Sequence, residues 1–225
     1  MKPSIPPILI TFALVCFALV QNAQAVSPPP DGGYPGNNTA EGQNALLSLT
    51  TGVNNTAVGW FSLKSNTNGQ LNTAVGAGTL FSTVHASRNT AIGGAALFSN
   101  TVGFENTAVG DEVLVSNTTG NANIAIGYGA LSRNSTGGGN TAVGDSALFD
   151  NQSGIVNIAL GFAAGQRTTG SNNIVIGHFG VADESNTIRI GGDVFGFGPQ
   201  TAAFIAGISG TAVVGDAVVW METVN

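Results

Sequence analysis

Charge is what this sequence has least of. Asp, Glu, Lys and Arg make up 8% of its 225 residues, where ordinary soluble domains carry about 25%. Six Lys and Arg stand against 12 Asp and Glu, for a formal net charge of −6. Phosphate neutralisation needs a clustered basic face, so this balance argues against a nucleic-acid partner. After Lys2 the cations are Lys64, Arg88, Arg133, Arg167 and Arg189, scattered and without the grouping that would favour a membrane surface. Cysteine is nearly absent as well. The single Cys16 lies in the apolar run from Ile8 to Val20, which is shorter than the ~20 residues a membrane span requires. With Lys2 before it and Ala23-Gln24-Ala25 behind it, residues 1–25 read as a secretory signal peptide. The mature chain then has no disulfide, no thiolate metal site and no cysteine nucleophile. Long helical periods are missing too, interrupted throughout by 33 glycines. Residues 26–37 are a leader rich in Pro and Gly, unable to build helix or ladder, yet placed to cover the first coil of a solenoid.

What is present is a repeat. Asn-Thr-Ala-Val-Gly or a close variant recurs over residues 38–191. Its glycines are Gly42, Gly59, Gly76, Gly93, Gly110, Gly127, Gly144, Gly161, Gly177 and Gly191. The first seven intervals are 17 residues, the next is 16 and the last 14. A register kept over so many copies makes this a solenoid-type architecture. The first column is Asn38, Asn55, Asn72, Asn89, Asn106, Asn123, Asn140, Asn157 and Asn173. The second is Thr or Ile, the third Ala as far as Ala159 and then Val175, the fourth Val, Ile or Leu except for Glu41, and the fifth Gly. A second block, Ala-Leu as in Ala96-Leu97 and Ala130-Leu131, precedes a polar Ser-Asn turn and another Gly.

Alternation along the motif is strand periodicity, and Gly and Asn supply turn chemistry. Two short strands per coil are therefore expected, stacked at about 4.8 Å into a flattened all-β roll of about ten coils. Stacking turns the Asn column into an internal amide ladder, while the Gly column meets a positive φ or a close backbone. The bulkier second and fourth columns are expected to fill the coil. The Ala column would then face outward as an apolar stripe, buried between copies of the chain. The larger apolar residues Phe81, Phe98, Val115 and Phe149 fit either the interior or that contact.

The copies Leu71-Asn72-Thr73-Ala74-Val75-Gly76, Ala122-Asn123-Ile124-Ala125-Ile126-Gly127 and Asn172-Asn173-Ile174-Val175-Ile176-Gly177 resemble the head repeat of trimeric autotransporter adhesins, the YadA-like head, in a long-coil variant. The resemblance implies a left-handed parallel β-roll, an obligate homotrimer and attachment at the bacterial outer surface, to matrix proteins or to other cells. The structural residues it marks are Asn55, Gly59, Asn72, Gly76, Asn89, Gly93, Asn106, Gly110, Asn123, Gly127, Asn140, Gly144, Asn157, Gly161, Asn173 and Gly177. Residues 192–225 change character and resemble the β-segment that precedes self-cleaving chaperone domains. They are expected to be a short β-rich cap or connector.

Other function classes find little support. His85 and His178 occupy non-equivalent columns, and no catalytic, cofactor or metal constellation accompanies them. Asp183 and Glu184 lack the glycine-rich nonapeptide of calcium-binding solenoids. Arg88 and Glu105 share a column on neighbouring coils and are placed for a surface ion pair, worth under ~1 kcal/mol. Hexapeptide acyltransferases need an aliphatic residue every six positions, and the sixth after Val58 is Lys64. Ice-binding solenoids present outward Thr-x-Thr pairs, whereas here the partner column is Val or Ile and both columns are expected inside. Asn54, Asn117 and Asn134 head glycosylation sequons that arise from the repeat itself. The expectation is a secreted structural or adhesive protein. It would have no membrane span after signal cleavage and would bind through repeated loops at 99–100, 116–119, 133–136 and 150–153. The alternative is a tail-fibre-like spacer without its own ligand.

Overall fold

The computed structural model describes residues 34–192; the expected signal peptide, most of the expected leader and nearly all of the expected C-terminal cap lie outside them. Ten strands of three residues each form one sheet in strict sequence order. They are β1 (Thr39–Glu41), β2 (Thr56–Val58), β3 (Thr73–Val75), β4 (Thr90–Ile92), β5 (Thr107–Val109), β6 (Ile124–Ile126), β7 (Thr141–Val143), β8 (Ile158–Leu160), β9 (Ile174–Ile176) and β10 (Ile188–Ile190). Each pairs in parallel with the next, residue over equivalent residue, as Thr56, Ala57 and Val58 lie over Thr73, Ala74 and Val75. The described chain is an all-β solenoid of about nine turns.

Every strand is closed at both ends by left-handed backbone. Two residues before each of β2 to β6 stand Asn54, Leu71, Arg88, Glu105 and Ala122, with φ of 55–59°. Directly after β1 to β8 stands the column glycine, with φ of 115–135°. At Gly127 a Cβ would lie 2.6 Å from the carbonyl of Gly144 on the next coil, so the position admits no side chain. The Ala-Leu block is not a second strand. Leu46, Leu63, Leu80, Leu97, Leu114, Leu131 and Leu148 have φ of 49–54°, which breaks the extended run. A non-Gly residue held there costs on the order of 1 kcal/mol. These leucines are buried, six of the seven fully, so packing holds the strained backbone in place. Their N–H groups still bridge coils, as Leu97 donates to Val113 O at 3.0 Å.

The alanines, not the valines, line the interior. Ala57, Ala74, Ala91, Ala108, Ala125, Ala142 and Ala159 are fully buried against the leucines, and the second and fourth columns point outward. The expected assignment of faces is reversed. Alanine packs against the leucines from β1 to β8 and Val175 replaces it in β9; with Asn and Ala of one parity inside, the bulkier flanking files fall on the outer face.

The asparagine ladder forms inside the coil. Asn106 Nδ2 donates to Asn89 Oδ1 at 3.2 Å and to Gly120 O at 2.9 Å. Its own Oδ1 accepts from the N–H and Nδ2 of Asn123 at 3.0 and 3.1 Å. A second ladder runs through the turns that the sequence presents as polar loops. Asn117 Nδ2 donates to Asn100 Oδ1 at 2.9 Å, and Asn134 Nδ2 to Asn117 Oδ1 at 2.8 Å. The second ladder stops at Asn151, where the next coil has Thr168 and shortens; Asn151 Oδ1 and Thr168 Oγ1 are buried without a hydrogen-bond partner. Tyr34 packs over the first coil, its N–H donating to Asn38 O at 3.1 Å. At the far end Arg189 takes the alanine position and forms a two-point ion pair with Glu184 at 2.6 and 2.7 Å.

Substituting Asn106 by Ala strands the Asn123 amide groups and the Gly120 carbonyl inside the coil. Each buried unpaired group costs about 1–3 kcal/mol, so chemical denaturation should show a loss of roughly 3 kcal/mol or more. Gly127→Ala should destabilise comparably, by displacing the Gly144 backbone rather than by removing a bond.

Candidate interaction face

Parity along a strand decides which groups reach solvent. With Ala inside, the residues on either side of it form two outward files. One carries Thr39, Thr56, Thr73, Thr90, Thr107 and Thr141, with Ile124, Ile158, Ile174 and Ile188 in the remaining coils. The other carries Val58, Val75, Ile92, Val109, Ile126, Val143, Leu160, Ile176 and Ile190, broken only by Glu41 at the first coil. Val58, Val75, Ile92, Ile126, Leu160 and Ile190 of this file are exposed, Ile190 most at 67%, and Val109, Val143 and Ile176 are half-buried. Parallel sheets are normally covered on both faces. Within the described chain this one is covered on one face only, and its bare side is a flat apolar strip.

Aromatic side chains border the strip immediately after the column glycine. Trp60, Tyr128 and Phe162 are each a little over half exposed. Tyr128 Oη donates to Glu112 at 3.2 Å. That carboxylate, with Asp111 and Asp145 near it, holds the phenol pKa above its usual value. Around the next corner Phe81 and Phe98 stack at 4.8 Å, and Lys64 Nζ lies 4.6 and 4.8 Å from the Phe61 and Phe81 rings. Arg133 sits over Phe149. Phe81, Phe98, Val115 and Phe149 therefore lie on an outer corner, neither in the coil interior nor on the bare sheet.

The proposed binding loops are narrower than the sequence suggests. Asn100, Asn117, Asn134 and Asn151 are fully buried, so in these loops only their Ser, Thr and Gln neighbours, with Arg133 and Asp150, reach solvent. Several hydroxyls there are tied to the next coil, as Thr118 Oγ1 donates to Ser135 O at 3.0 Å. Burial also removes Asn117 and Asn134 as glycosylation acceptors, leaving Asn54 exposed. Asn55 and its equivalents with Gly59 and its equivalents are interior or backbone-packed, structural rather than ligand-facing. Arg88 and Glu105 do pair across coils at 3.2 Å.

No three His, Cys, Asp or Glu side chains gather to hold a metal among the described residues, and no helix there is long and apolar enough to cross a membrane. His85 Nδ1 lies 2.6 Å from Asn68 Oδ1 on the neighbouring coil. His178 is different, because its Nδ1 accepts the Gly180 N–H at 2.8 Å, which requires that nitrogen to be unprotonated. No family model, no curated protein and no solved structure matches this chain.

Burial, followed by the Arg189 charge, lowers the His178 pKa, with Glu184 opposing. The neutral ring therefore stabilises the last coil fully above the ordinary histidine value of about 6.5. That contribution is lost as pH falls through the lower folded-state pKa. Amide exchange should show Gly180 and Gly191 losing protection in that window before the coils around Asn106 change. His178→Gln should abolish the step.

Proposed function

We propose that this chain is a secreted or cell-surface protein of the bacterial outer surface. Its left-handed solenoids assemble side by side as a homotrimer of the YadA-like head type, with an adhesive role. The observation that carries the reading is the bare parallel sheet with its outward Val, Ile and Leu file. An apolar strip running the length of a rod calls for cover by another surface. A cover must be equally long and equally periodic, and a second and third copy of the chain meet that need directly. The contact uses the valine and threonine files in place of the alanine file. Adhesion to extracellular matrix or cell-surface molecules then falls to the repeated Ser and Thr loops on the opposite side. There many weak contacts per trimer add through effective concentration rather than through one pocket. The spacer alternative, a tail-fibre-like rod with no ligand of its own, shares the assembly and lacks the binding.

One observation favours a second reading of the same strip. Thr56, Thr73, Thr90 and Thr107 do face outward, so inward orientation no longer argues against ice binding. The threonine file is interrupted by Ile124, Ile158, Ile174 and Ile188, and this places ice binding behind self-association.

Light scattering of the secreted chain should give three times the monomer mass. Ile126→Asp combined with Ile158→Asp should yield a folded monomer with unchanged circular dichroism. Ala125→Asp, which buries a charge inside the coil at a cost of several kcal/mol, should unfold it. A wild-type monomer that slows ice growth would overturn the trimer in favour of the second reading. With the trimer established, binding of the full chain to matrix proteins and cells separates adhesin from spacer: the adhesin retains them and the spacer does not.

A further inference from the structure

A coil held together by asparagine carries the chemical weakness of asparagine, and one step of the sequence concentrates it. Asn68-Gly69 is the one place where Asn directly precedes Gly; the matching steps on neighbouring coils are Thr51-Gly52 and Val102-Gly103. A glycine nitrogen is the least hindered backbone nucleophile. When it attacks the preceding side-chain amide, a bond forms from Gly69 N to Asn68 Cγ, the Gly69 proton leaves and Nδ2 departs as ammonia. Water then opens the resulting succinimide to aspartate or isoaspartate.

The attack runs along the direction of the Gly69 N–H bond, and in the closed coil that direction is taken. Gly69 N–H donates to Asn66 Oδ1 at 3.0 Å, inside the coil. The coil above explains why this oxygen is available. Asn100 uses its Oδ1 to accept from Asn117 Nδ2, whereas the residue over Asn66 is Thr83, whose hydroxyl donates to Asn100 O. Asn68 is exposed, but its Oδ1 lies 2.6 Å from His85 Nδ1 on the following coil. With the proton on Nδ1 the ring donates to that oxygen, tying the reacting carbonyl to the neighbouring coil.

We propose that Asn68 is a modification site, deamidated through a succinimide with Gly69 when its coil opens and kept intact by Asn66 and His85 while the coil is closed. The change is one-way. Isoaspartate adds a backbone atom between residues 68 and 69, where Gly69 lies so close to the Ala86 carbonyl that no Cβ fits. It also displaces Asn72, whose N–H and Nδ2 both donate to Asn55 Oδ1, at 3.0 and 3.1 Å. A coil that has opened and reacted no longer restacks, so the modification marks the chains that have opened.

Peptide mass mapping of the full chain, kept in warm and mildly alkaline buffer, reads the conversion directly. Asn68 should convert at least ~10-fold more slowly in the folded protein than in urea, because reaction waits on local opening. Asn66→Ala should raise the folded rate several-fold by freeing the Gly69 N–H. His85→Ala, at an exposed position, should raise it as well by freeing the carbonyl. Asn100→Ala, the same change two coils on, weakens the second ladder comparably and should leave the rate unchanged. Equal conversion of wild type folded and in urea overturns the proposal. So does slower conversion in His85→Ala, or acceleration by Asn100→Ala equal to that by Asn66→Ala. Should Asn66→Ala not fold, the wild-type comparison and the His85→Ala rate still decide.

Discussion

Everything in this fold rests on the amide of one asparagine lying directly beneath the amide of the next. A ladder of that kind is intolerant in two directions at once. Vertically, the Oδ1 of one coil must accept both the N–H and the Nδ2 of its neighbour, as Asn89 does from Asn106 at 3.0 and 3.2 Å, which fixes the coil spacing. Laterally, the amide must stay dry, because the exchange of one buried hydrogen bond for another is favourable only where water cannot compete. The asparagines therefore commit the inside of the coil before any apolar residue does. Since side chains alternate along a strand, the residue two places on is committed with them, and that residue is alanine.

A coil interior made of alanine, leucine and asparagine is thin, and the apolar surface of the flanking columns lies outside it. The interior column is alanine from β1 to β8, with Val175 buried in its place in β9, so the valine and isoleucine of the flanking columns lie on the outer face of the sheet. There they are free to vary: Thr or Ile in one file, Val, Ile or Leu in the other, with no penalty to the coil. The interior column, by contrast, is alanine in every strand from β1 to β8. Tolerance outside and uniformity inside separate two tasks in one motif, the inner parity holding the coil and the outer parity addressing whatever lies beside it.

Much of this was legible in the sequence. The period, the first strand of each coil, the glycine column with its left-handed backbone, the amide ladder and the Arg88–Glu105 pair all follow from the repeat spacing and are found as expected. The orientation of the faces is not. Size places the larger apolar side chains inside, whereas the motif itself carries the deciding fact: asparagine and alanine share a parity, so an internal ladder excludes external alanine. The missing second strand has another cause. Leucine is a poor candidate for positive φ, and nothing in the local sequence announces it; only the packing of seven equivalent leucines over the alanines compels that backbone. The buried Asn100, Asn117 and Asn134 file was missed because turn asparagines usually face water, though its spacing of 17 carried the same signal as the first ladder.

The shortening of the last coils completes the logic. A solenoid must close its ends, since an open coil exposes both a strand edge and an apolar interior. Here the interior narrows over the last described coils. Gly165 takes the place of the leucine file, and a Cβ there would lie 2.9 Å from Leu148 Cδ2, so the coil has contracted onto the preceding layer. The second amide ladder has run out at Asn151, and the final coil brings Arg189 into the alanine position with its charge held by Glu184. A guanidinium can cover an apolar end with its stem while keeping a paired head at the rim, which alanine cannot do. The change from 17 to 16 to 14 residues is therefore a taper rather than a decay of the repeat. It narrows the interior over the last described coils, where Ile188 and Ile190 on the outer face of β10 are the most exposed apolar side chains among the described residues.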